Sequence, residues 1–492
     1  MFLHKSEKSG YGKMFAYQEE AIEWMSIRED DRITPGGFLC HEMGLGKTHI
    51  VCKHIKNTIS TVPRNLILTT KSTLNSWKDT LCSYSNFEFD VRVNPMGTSL
   101  HPDRPLTVVA THASVLKNLD WFVEQGFNRL IVDEAHVMRN RGKMFNQLLV
   151  LARTVQYRWG VTATPYNNKA RDMLAYVMYL RPAVGEQLSA EMFKHYFLRK
   201  LRDEVITEGP KLVFNKMVYD FEFPEERLMY DYVSRRIDET HDWIARNTRT
   251  LPWRVIGQMI LTLIIRQRQA AIHPQLVLNA EKVWARQMGE EYETNWDPRK
   301  VTKINKIAEL VQNDQRASKN TLIITHFAEE MRLIKDRLIE DRVTVRTLNG
   351  KTPPAKRAEI EKKSWTKPEY FDEYISILPL PTDVSRHIMK FIANKPEVVI
   401  LQIQAGGVGL SLPWVHHVIN TAPDWNPYLE KQSIYRAYRV TTPHDVQVTP
   451  MYFRDTIEVS MQRRQAEKLI GGAVWLDDPM ESIADYIQMP II

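Results

Sequence analysis

Residues 38–48 read FLCHEMGLGKT, and this stretch decides the class of fold. The apolar residues Phe38–Cys40 predict a short buried strand, and His49–Thr58 has the apolar spacing of a helix. A glycine-rich turn between a strand and a helix lets backbone N–H groups and the helix N-terminus approach a phosphate group. The stretch therefore predicts an α/β fold with a phosphate-binding loop. The loop residues assigned to phosphate contact are Met43, Gly44, Leu45, Gly46, Lys47 and Thr48.

Two side chains of this loop carry its predicted chemistry. Lys47 would reach the β- and γ-phosphates of a nucleotide, and the Thr48 hydroxyl would bind Mg²⁺. The strict pattern G-x-x-x-x-G-K-[ST] fails at its first position, where His41 replaces glycine. The alternative interpretation is a glycine-rich turn at a helix start that binds no phosphate.

A second motif supplies acidic groups. Leu130–His136 reads LIVDEAH, and Asp133 follows Lys47 by 86 residues. An apolar strand that ends in Asp-Glu places two carboxylates at the edge of a parallel sheet where ligands bind. Asp133 would hold the metal, and Glu134 would orient and activate the attacking water. Taken alone, the tetrapeptide Asp-Glu-Ala-His could be an ordinary acidic helix start, and His136 alone a hydrogen-bonded structural histidine.

Short apolar runs alternate with amphipathic stretches in two parts of the chain, which predicts a parallel sheet in each part. The strands predicted in the first part are Phe38–Cys40, Leu66–Thr69, Leu106–Ala110, Leu130–Val132 and Tyr157–Val161. Those predicted in the second part are Thr321–Thr325, Val343–Leu348, Val398–Gln402, His417–Asn420 and Gln447–Phe453. Between the two parts, Glu225–Ile244 and Trp253–Ile272 have the periodicity of long helices.

Composition limits the class of protein. The chain has 492 residues, enough for two to four domains that each bury a core. Its three cysteines are too few and too widely spaced for a disulfide framework or a four-cysteine zinc site. The longest strongly apolar run, Met259–Ile265, is far shorter than the roughly 20 residues of a membrane span, and the N-terminus lacks a secretory signal. We expect a soluble intracellular protein whose net charge of +7 permits a polyanionic partner.

Three motifs together resemble those of the superfamily-two helicase-like ATPases: HEMGLGKT at 41–48, VDEAH at 132–136 and GVTATP at 160–165. FLRKLRDEV at 197–205, RQAAIHP at 268–274 and DWNP at 424–427 are similar to signatures of the Swi/Snf-type branch of double-stranded DNA translocases. The resemblance implies two RecA-like lobes with a helical insertion between them. The implied domains are an N-terminal lobe at 1–215, the insertion at 216–300, a C-terminal lobe at 301–472 and a tail at 473–492.

The resemblance also implies ATP and Mg²⁺ as cofactors, with Gln18 reading adenine and Gly409, in QAGGVGLSL at 404–412, contacting the nucleotide. QSIYRAYR at 432–439 is similar to the family's terminal motif, in which two arginines, here Arg436 and Arg439, reach across to the ATP. Residues three apart share one face of a helix, as we expect for this pair. The implied catalytic residues are Lys47, Asp133, Glu134, His136, Arg436 and Arg439.

Contacts with double-stranded DNA follow from the same resemblance. The implied residues, which would track the DNA backbone, are Ser72, Thr73, Thr111, Gly406 and Gly407. Hydroxyl and backbone N–H groups suit phosphate contacts, which position a protein without reading sequence. Trp77 is expected to be a packing residue, with base stacking as the alternative.

The insert at about 364–395 contains LPTDVSRHIMKFI, which is weakly similar to the start of an adaptor-binding F-box, although a helical insert that packs on its own lobe is the simpler interpretation. Apolar residues after Gly472 predict a tail that packs on a lobe. The compact size is similar to virus-encoded members of the family, such as baculovirus global transactivators. Localisation in the nucleus, or in the host nucleus for a viral protein, follows only from the resemblance.

The leading hypothesis is an ATP-dependent motor that tracks on duplex DNA in transcription or chromatin remodelling. One alternative is a strand-separating DNA or RNA helicase. Another is a weakly catalytic ATP-binding adaptor or DNA-binding protein, because the chain departs from the family pattern. His41 replaces an aspartate, Tyr435 and Tyr438 replace an aspartate and a histidine, and Thr70 stands where proline is usual.

Overall fold

The computed structural model describes residues 14–86, 88–98, 100–101, 103–166, 173–180, 195–206, 209–247, 252–287, 295–363, 396–404, 410–439 and 442–476. These residues form two compact units. The first contains the described residues up to 206 together with 468–476, and the second contains those from 209 to 467. Each unit has its own parallel sheet, which confirms the predicted α/β class with two parallel-sheet lobes.

The strands of the first unit, as far as it is described, are β1 (Gly36–Leu39), β2 (Arg64–Thr69), β3 (Asp90–Val93), β4 (Leu106–Thr111), β5 (Arg129–Asp133), β6 (Tyr157–Val161) and β7 (Phe197–Leu198). They form one sheet in the order β3-β4-β2-β5-β6-β1-β7, and every neighbouring pair is parallel. The five predicted strands are confirmed, whereas the edge strands β3 and β7 were not predicted. Because parallel strands end at the same edge, the segments that follow β1, β2, β4 and β5 lie along one edge of this sheet.

Alternate residues of these strands pack on opposite faces of the sheet. Phe38 and Leu66 belong to one buried cluster, and their neighbours Leu39 and Ile67 belong to another. A sheet that is buried on both faces needs nearly continuous apolar strands, which explains the apolar runs of the sequence.

The helices of the first unit, where it is described, are α1 (Ala16–Glu29), α2 (Lys47–Thr58), α3 (Leu74–Ser85), α4 (His112–Glu124), α5 (Lys143–Thr154), α6 (Leu174–Leu180), α7 (Arg202–Val205) and a 3₁₀ helix at Ala135–Asn140. Helix α2 begins at Lys47 because the preceding Gly46 has a φ of +74°, in the left-handed region that ends a right-handed helix. The structure thus confirms the strand–turn–helix context of the predicted phosphate loop.

The strands of the second unit, in the part that the structure describes, are β8 (Leu212–Phe214), β9 (Met217–Tyr219), β10 (Thr321–Thr325), β11 (Val345–Leu348), β12 (Val398–Gln402), β13 (His417–Asn420) and β14 (Val446–Phe453). The sheet order is β11-β12-β10-β13-β14-β8, β9 also pairs with β14, and all pairs are parallel. The five strands predicted here are confirmed, and β8 and β9 were not predicted.

The helices that begin in the described part of the second unit are α8 (Pro224–Asn247), α9 (Trp253–Ile272), α10 (Pro274–Gln287), α11 (Thr302–Arg316), α12 (Ala328–Glu340), α13 (Pro354–Glu361), α14 (Pro427–Ile434) and α15 (Ile457–Leu476). Helices α8 and α9 confirm the predicted helical segment between the two sheets. The apolar run Met259–Ile265 lies in α9. Within the described ranges, no helix has the length and apolar character to cross a membrane.

The division into units differs from the predicted domains. Strand β8 lies in the predicted N-terminal lobe at 1–215, yet it pairs with β14 of the second unit, because β14 offers a free parallel edge at Val446–Val448. The predicted insertion at 216–300 belongs to the same unit as the predicted C-terminal lobe. Residues 468–472, predicted within the C-terminal lobe, group with the first unit. The insert at 364–395 and the tail beyond 476 lie outside the described residues.

A buried ion pair joins two helices of the second unit. Nζ of Lys303 in α11 lies 2.6 Å from Oε1 of Glu458 in α15, and both side chains are almost completely shielded from solvent. The backbone N–H of Phe453 donates to the other carboxylate oxygen at 2.7 Å. The pair fixes α11 and α15 against the end of β14.

Candidate functional site

The predicted phosphate loop connects β1 to α2 at the carboxyl edge of the first sheet. Gly44 and Gly46 both have positive φ, at +83° and +74°, so the loop adopts turns that favour glycine at both positions. Two side chains of α1 hold the loop, because the Tyr17 hydroxyl and the Gln18 amide nitrogen donate to the carbonyl of Leu45 at 3.2 and 3.3 Å. Gln18, for which the resemblance implies adenine recognition, therefore also supports the loop itself.

Lys47 turns its side chain into the loop. Its Nζ donates to the carbonyl oxygens of His41 at 2.8 Å and Glu42 at 3.0 Å. Burial lowers the pKa of Lys47 to about 8, although the charges of Glu134 and Asp133 act in the opposite direction. Both carboxylates of the acidic motif thus act electrostatically on this ammonium group.

His41, the departure from the strict loop pattern, is buried. Within the described part of the chain, neither ring nitrogen has a hydrogen-bond partner. Burial, together with the cations Lys47, Lys200 and Arg199, lowers the pKa of His41 to about 3, so the ring is neutral at physiological pH. The contact from Lys47 is made to the backbone carbonyl of His41, and it does not depend on which side chain stands there.

Asp133 ends strand β5 and is held by two donors. The Thr69 hydroxyl and the Trp77 indole N–H both donate to Oδ2 at 2.7 Å. Burial and the neighbouring Glu134 carboxylate raise the pKa of Asp133 to about 6 despite these hydrogen bonds. Trp77 is buried, as expected for a packing residue, so it is not available for base stacking. Its bond to Asp133 was not predicted.

Glu134 and His136 stand beside one another at the start of the 3₁₀ helix. Glu134 has a φ of +49°, which turns the chain sharply after β5. Its Oε2 lies 3.1 Å from Nδ1 of His136, and both side chains are partly exposed. Glu134 is thus placed one residue beyond the predicted metal ligand, with its carboxylate accessible to solvent.

The predicted DNA-contacting hydroxyls lie at the ends of β2, which is next to β5, and of β4, which is next to β2. Ser72 and Thr73 follow β2 at the start of α3, and their hydroxyls belong to a hydrogen-bonded series that reaches Thr69. Thr111 ends β4, and its hydroxyl caps α4 by accepting from the Ser114 N–H at 3.2 Å. The backbone N–H of Thr111 donates to Oδ1 of Asn94 at 3.2 Å. Gly406, Gly407 and Gly409 lie outside the described residues.

Arg199 is a site residue that the motif analysis did not single out. Its Nη1 donates to the carbonyl of Cys40, at the start of the phosphate loop, at 2.9 Å and to that of Ala163, after β6, at 3.3 Å. Arg199 directly follows β7, which pairs with β1. Beyond the paired residues, the Glu42 N–H donates to the Lys200 carbonyl at 2.9 Å, so the two segments stay side by side at Arg199. The only sequence signal was its membership of the FLRKLRDEV segment.

The two predicted arginines of the second unit meet, but not on a helix as expected. Helix α14 ends at Ile434. The Arg436 N–H donates to the Ser433 carbonyl, which is a tighter turn than that of an α-helix, and the Arg436 carbonyl accepts from the Leu412 N–H at 2.7 Å. Both guanidinium groups nevertheless donate to the carbonyl of Leu410, at 3.4 Å from Arg436 and 3.0 Å from Arg439. Burial lowers the pKa of Arg439.

The two tyrosines that depart from the family pattern are core residues. Tyr435 and Tyr438 are buried, and their ring centroids lie 5.6 Å apart. The Tyr438 hydroxyl donates to the carbonyl of Pro210 at 2.7 Å. Both substitutions therefore have a packing role in the second unit.

The residues around the loop fit a nucleotide with its magnesium ion. The Thr48 hydroxyl, on the second residue of α2, has no hydrogen-bond partner among the described residues, so it is available as a ligand. Thr48 and Asp133 supply hydroxyl and carboxylate oxygens, the ligand class that Mg²⁺ prefers. Among the described residues, Lys47 donates to two backbone carbonyls of the loop, contacts that phosphate oxygens can replace.

Two family models match this chain. One, described as the SNF2-related domain, matches residues 17–333, and the other, the helicase conserved C-terminal domain, matches residues 380–441. The chain therefore belongs to the SNF2-related family of ATP-dependent helicase-like ATPases.

Its relatives include viral and cellular proteins. The chain is 24% identical to the probable global transactivator of Orgyia pseudotsugata multicapsid polyhedrosis virus, over 93% of this chain and 90% of the relative. It is 21% identical to the ISWI chromatin-remodeling complex ATPase ISW2 of Saccharomyces cerevisiae, over 93% of this chain but only 40% of the relative. A solved SWI2/SNF2 ATPase core from Sulfolobus solfataricus, in complex with double-stranded DNA, matches all of both chains with 19% identity and a TM-score of 0.39.

Proposed function

We propose that this protein is a DNA-stimulated ATPase that uses ATP hydrolysis to move along double-stranded DNA. The observation that carries the proposal is the order of groups along one edge of the first sheet. Thr111 ends β4, Ser72 and Thr73 follow β2, Asp133 ends β5, and Lys47 follows the loop after β1. Groups suited to a nucleic-acid backbone thus lie next to groups suited to nucleotide chemistry, in a single rigid sheet.

The nucleotide chemistry divides among four residues. Lys47 would hold the β- and γ-phosphates, and Thr48 and Asp133 would hold Mg²⁺. When bound, Mg²⁺ neutralises negative charge on the phosphate oxygens. Glu134, whose carboxylate remains partly exposed, would accept a hydrogen bond from the attacking water and orient it towards the γ-phosphate.

The DNA contact is proposed to be made to phosphates rather than to bases. Hydroxyl side chains and backbone N–H groups at helix starts provide contacts that position a protein on a duplex without specifying sequence. Thr73 and Thr111 directly precede α3 and α4, so both hydroxyls stand at helix N-termini. The proposed partner is therefore duplex DNA of any sequence.

The proposed setting is transcription or the remodelling of protein–DNA complexes, in the nucleus. Support comes from two relatives, one named as a viral global transactivator and the other as a chromatin-remodelling ATPase. This chain corresponds to most of the viral relative and to about two fifths of the yeast one. Any role shared with the yeast protein as a whole is part of the proposal.

The test is the steady-state rate of ATP hydrolysis with no nucleic acid, single-stranded DNA, duplex DNA and RNA, at one fixed salt concentration because phosphate contacts are salt-sensitive. We expect duplex DNA to stimulate the rate most. Glu134→Gln should bind ATP but not hydrolyse it, and Lys47→Ala should lose nucleotide affinity.

Each contrary result points to another class of protein. Stronger stimulation by single strands or RNA, together with displacement of an annealed oligonucleotide, would identify a strand-separating helicase. Absence of hydrolysis in every condition would identify an ATP-binding adaptor or DNA-binding protein. Turnover retained by Glu134→Gln would exclude Glu134 as the residue that activates water.

A further inference from the structure

Four hydroxyl groups form a continuous hydrogen-bonded series between the start of α3 and the Asp133 carboxylate. The oxygen–oxygen distances are 2.8 Å from Ser72 to Thr70, 2.7 Å from Thr70 to Thr73, 2.6 Å from Thr73 to Thr69 and 2.7 Å from Thr69 to Oδ2 of Asp133. All of these distances lie within the range of strong O–H···O hydrogen bonds. The series thus links a proposed DNA-contacting hydroxyl to the proposed metal ligand.

The carboxylate fixes the direction of every bond in the series. An ionised carboxylate only accepts hydrogen bonds, and each hydroxyl has one proton to donate. Thr69 must therefore donate to Asp133, and its oxygen is left to accept from Thr73. By the same reasoning Thr73 accepts from Thr70, and Thr70 accepts from Ser72. With the series complete, all four protons point towards Asp133, and the Thr70 carbonyl, 3.3 Å from the Thr73 hydroxyl oxygen, is the alternative acceptor for the Thr73 proton.

A phosphate oxygen is also only an acceptor, so it competes for these protons. If a backbone phosphate takes the proton of Ser72, that hydroxyl must turn outward and its inward bond to Thr70 is lost. Donors in a chain polarise one another, so the loss of one bond weakens those between it and the carboxylate. The contact of a phosphate at the start of α3 would thus change how firmly Thr69 holds Asp133.

The other donor to Asp133, the indole of Trp77, belongs to the same segment of the chain. Thr73 is the residue that directly precedes α3, and its carbonyl accepts from the backbone N–H of Trp77 at 3.0 Å. The indole N–H of Trp77 is the other donor to Oδ2 of Asp133. Both side chains that hold this oxygen therefore belong to one short segment, 69–77.

We propose that the hydroxyl series Ser72–Thr70–Thr73–Thr69 couples contact of a DNA phosphate at the start of α3 to the position of Asp133 and hence to nucleotide binding. The inference rests on the proposed function. Thr69 and Thr70 are positioning residues, because they act on the nucleotide through Asp133 and do not touch it.

The decisive variant is Thr70→Val in the full chain, with Thr70→Ser as its matched control. Valine has nearly the shape of threonine but no hydroxyl, whereas serine keeps the hydroxyl. The measured quantity is the dissociation constant of a fluorescent ADP analogue in Mg²⁺ buffer, with and without a saturating duplex. By linkage, the ratio of the two constants equals the factor by which the nucleotide changes DNA affinity, which gives an independent check.

For the unaltered protein and Thr70→Ser we expect a ratio of at least about five-fold, the lower end of ordinary coupling between two sites. For Thr70→Val we expect a ratio of less than two-fold. Thermal unfolding of each variant checks that it is folded. If Thr70→Val is not, Thr70→Ala removes the same hydroxyl without a second branch at Cβ.

A ratio in Thr70→Val equal to that of the unaltered protein would overturn the inference and leave the proposed function standing. So would an unaltered protein that shows duplex-stimulated hydrolysis but no effect of duplex on ADP affinity. If duplex DNA neither stimulates hydrolysis by the unaltered protein nor changes its ADP affinity, both the inference and the proposed function are overturned. This outcome requires no variant.

Discussion

The amide nitrogen of Gln18 lies 2.5 Å from the position that a Cβ atom on Gly46 would occupy. Helix α1 and the phosphate loop are thus packed so closely that a Cβ atom at this position would displace the Gln18 amide. Gly46 also has a φ of +74°, which a residue with a Cβ adopts at a cost of about 1–2 kcal/mol. Both effects act on the residue that immediately precedes Lys47.

Gly46→Ala should weaken nucleotide binding by about tenfold or more, because the Gln18 amide must leave the Leu45 carbonyl and the lost hydrogen bond adds about 1 kcal/mol to the backbone strain. The measurement is the dissociation constant of a fluorescent ADP analogue. Gly126→Ala is the matched control, because Gly126 has a φ of +62° with no atom within 4 Å of a Cβ. Gly126→Ala should lower the free energy of unfolding but leave the dissociation constant of the ADP analogue unchanged. If Gly46→Ala raises the dissociation constant by the same factor in a Gln18→Ala background, the close packing of these two residues is not the cause of the weaker binding.

Arg199→Lys should lower kcat for ATP hydrolysis about tenfold. The guanidinium of Arg199 joins the carbonyls of Cys40 and Ala163, and a lysine lacks the planar fork that holds two acceptors in fixed geometry. Small displacements of catalytic elements have large effects on rate. Lys200→Gln is the control, since the side chain of Lys200 forms a partly exposed ion pair with Glu20 and does not join the carbonyls of Cys40 and Ala163. Unchanged kcat in Arg199→Lys would show that the bridge does not position the loop.

Lys303→Met should destabilise the protein by about 3–5 kcal/mol, because it leaves the Glu458 carboxylate buried without its cation. The double variant Lys303→Met, Glu458→Gln should recover a large part of this loss, since no unpaired charge remains. The measurement is a double-mutant cycle from denaturant unfolding. Lys306→Met, which breaks a partly exposed pair with Glu222, should change stability by less than about 1 kcal/mol. Strict additivity of the two single changes would contradict the prediction.

Glu430→Gln should stabilise the protein above pH 7. Burial raises the pKa of Glu430 to about 7 from a usual 4.5, although the Asp424 N–H and the Gln465 amide donate to its Oε1. Between these two pKa values the folded state binds more protons than the unfolded state, so the contribution of Glu430 to stability falls as pH rises. At pH 8 the penalty is on the order of 3 kcal/mol, because a tenfold change in acid dissociation corresponds to about 1.4 kcal/mol.

The glutamine keeps an oxygen for both donors and does not ionise. The measurement is the difference in free energy of unfolding between Glu430→Gln and the unaltered protein from pH 5 to pH 8.5. It should be small at pH 5 and grow with pH. A difference that is constant over this range would mean that Glu430 does not titrate in it.

The buried strands could be predicted from sequence because they are apolar on both faces. Leu66–Thr69 and Thr321–Thr325 are continuous apolar or β-branched runs, and both form strands in the interior of a sheet. The missed strands lie at edges. Asp90–Val93 carries two charged residues and is only partly buried, so its local composition gives no strand signal. Leu212–Phe214 is three residues long, and its partner is remote in sequence.

The candidate site shows the same limit. Lys47, Asp133 and Glu134 were found because their motifs are contiguous in sequence. Trp77 and Arg199 were not, since each acts through a bond to a backbone or carboxylate group more than 30 residues away. Arg436 and Arg439 were expected on one helix, but the bond from Leu412 to the Arg436 carbonyl, a tertiary contact, ends the helix first. Such tertiary contacts cannot be predicted from the apolar periodicity of a single segment.

The pairing of β8 with β14 has a consequence for how the chain folds during synthesis. Leu212 is paired with Val446, which the ribosome adds 234 residues later. At about 5–20 residues per second, the earlier strand waits on the order of tens of seconds for its partner. Over that interval β8 and β9 are unpaired apolar edges that can associate with other nascent chains. We therefore expect the second sheet to close late and slowly, and the yield of soluble protein to depend on chaperones and on the rate of translation.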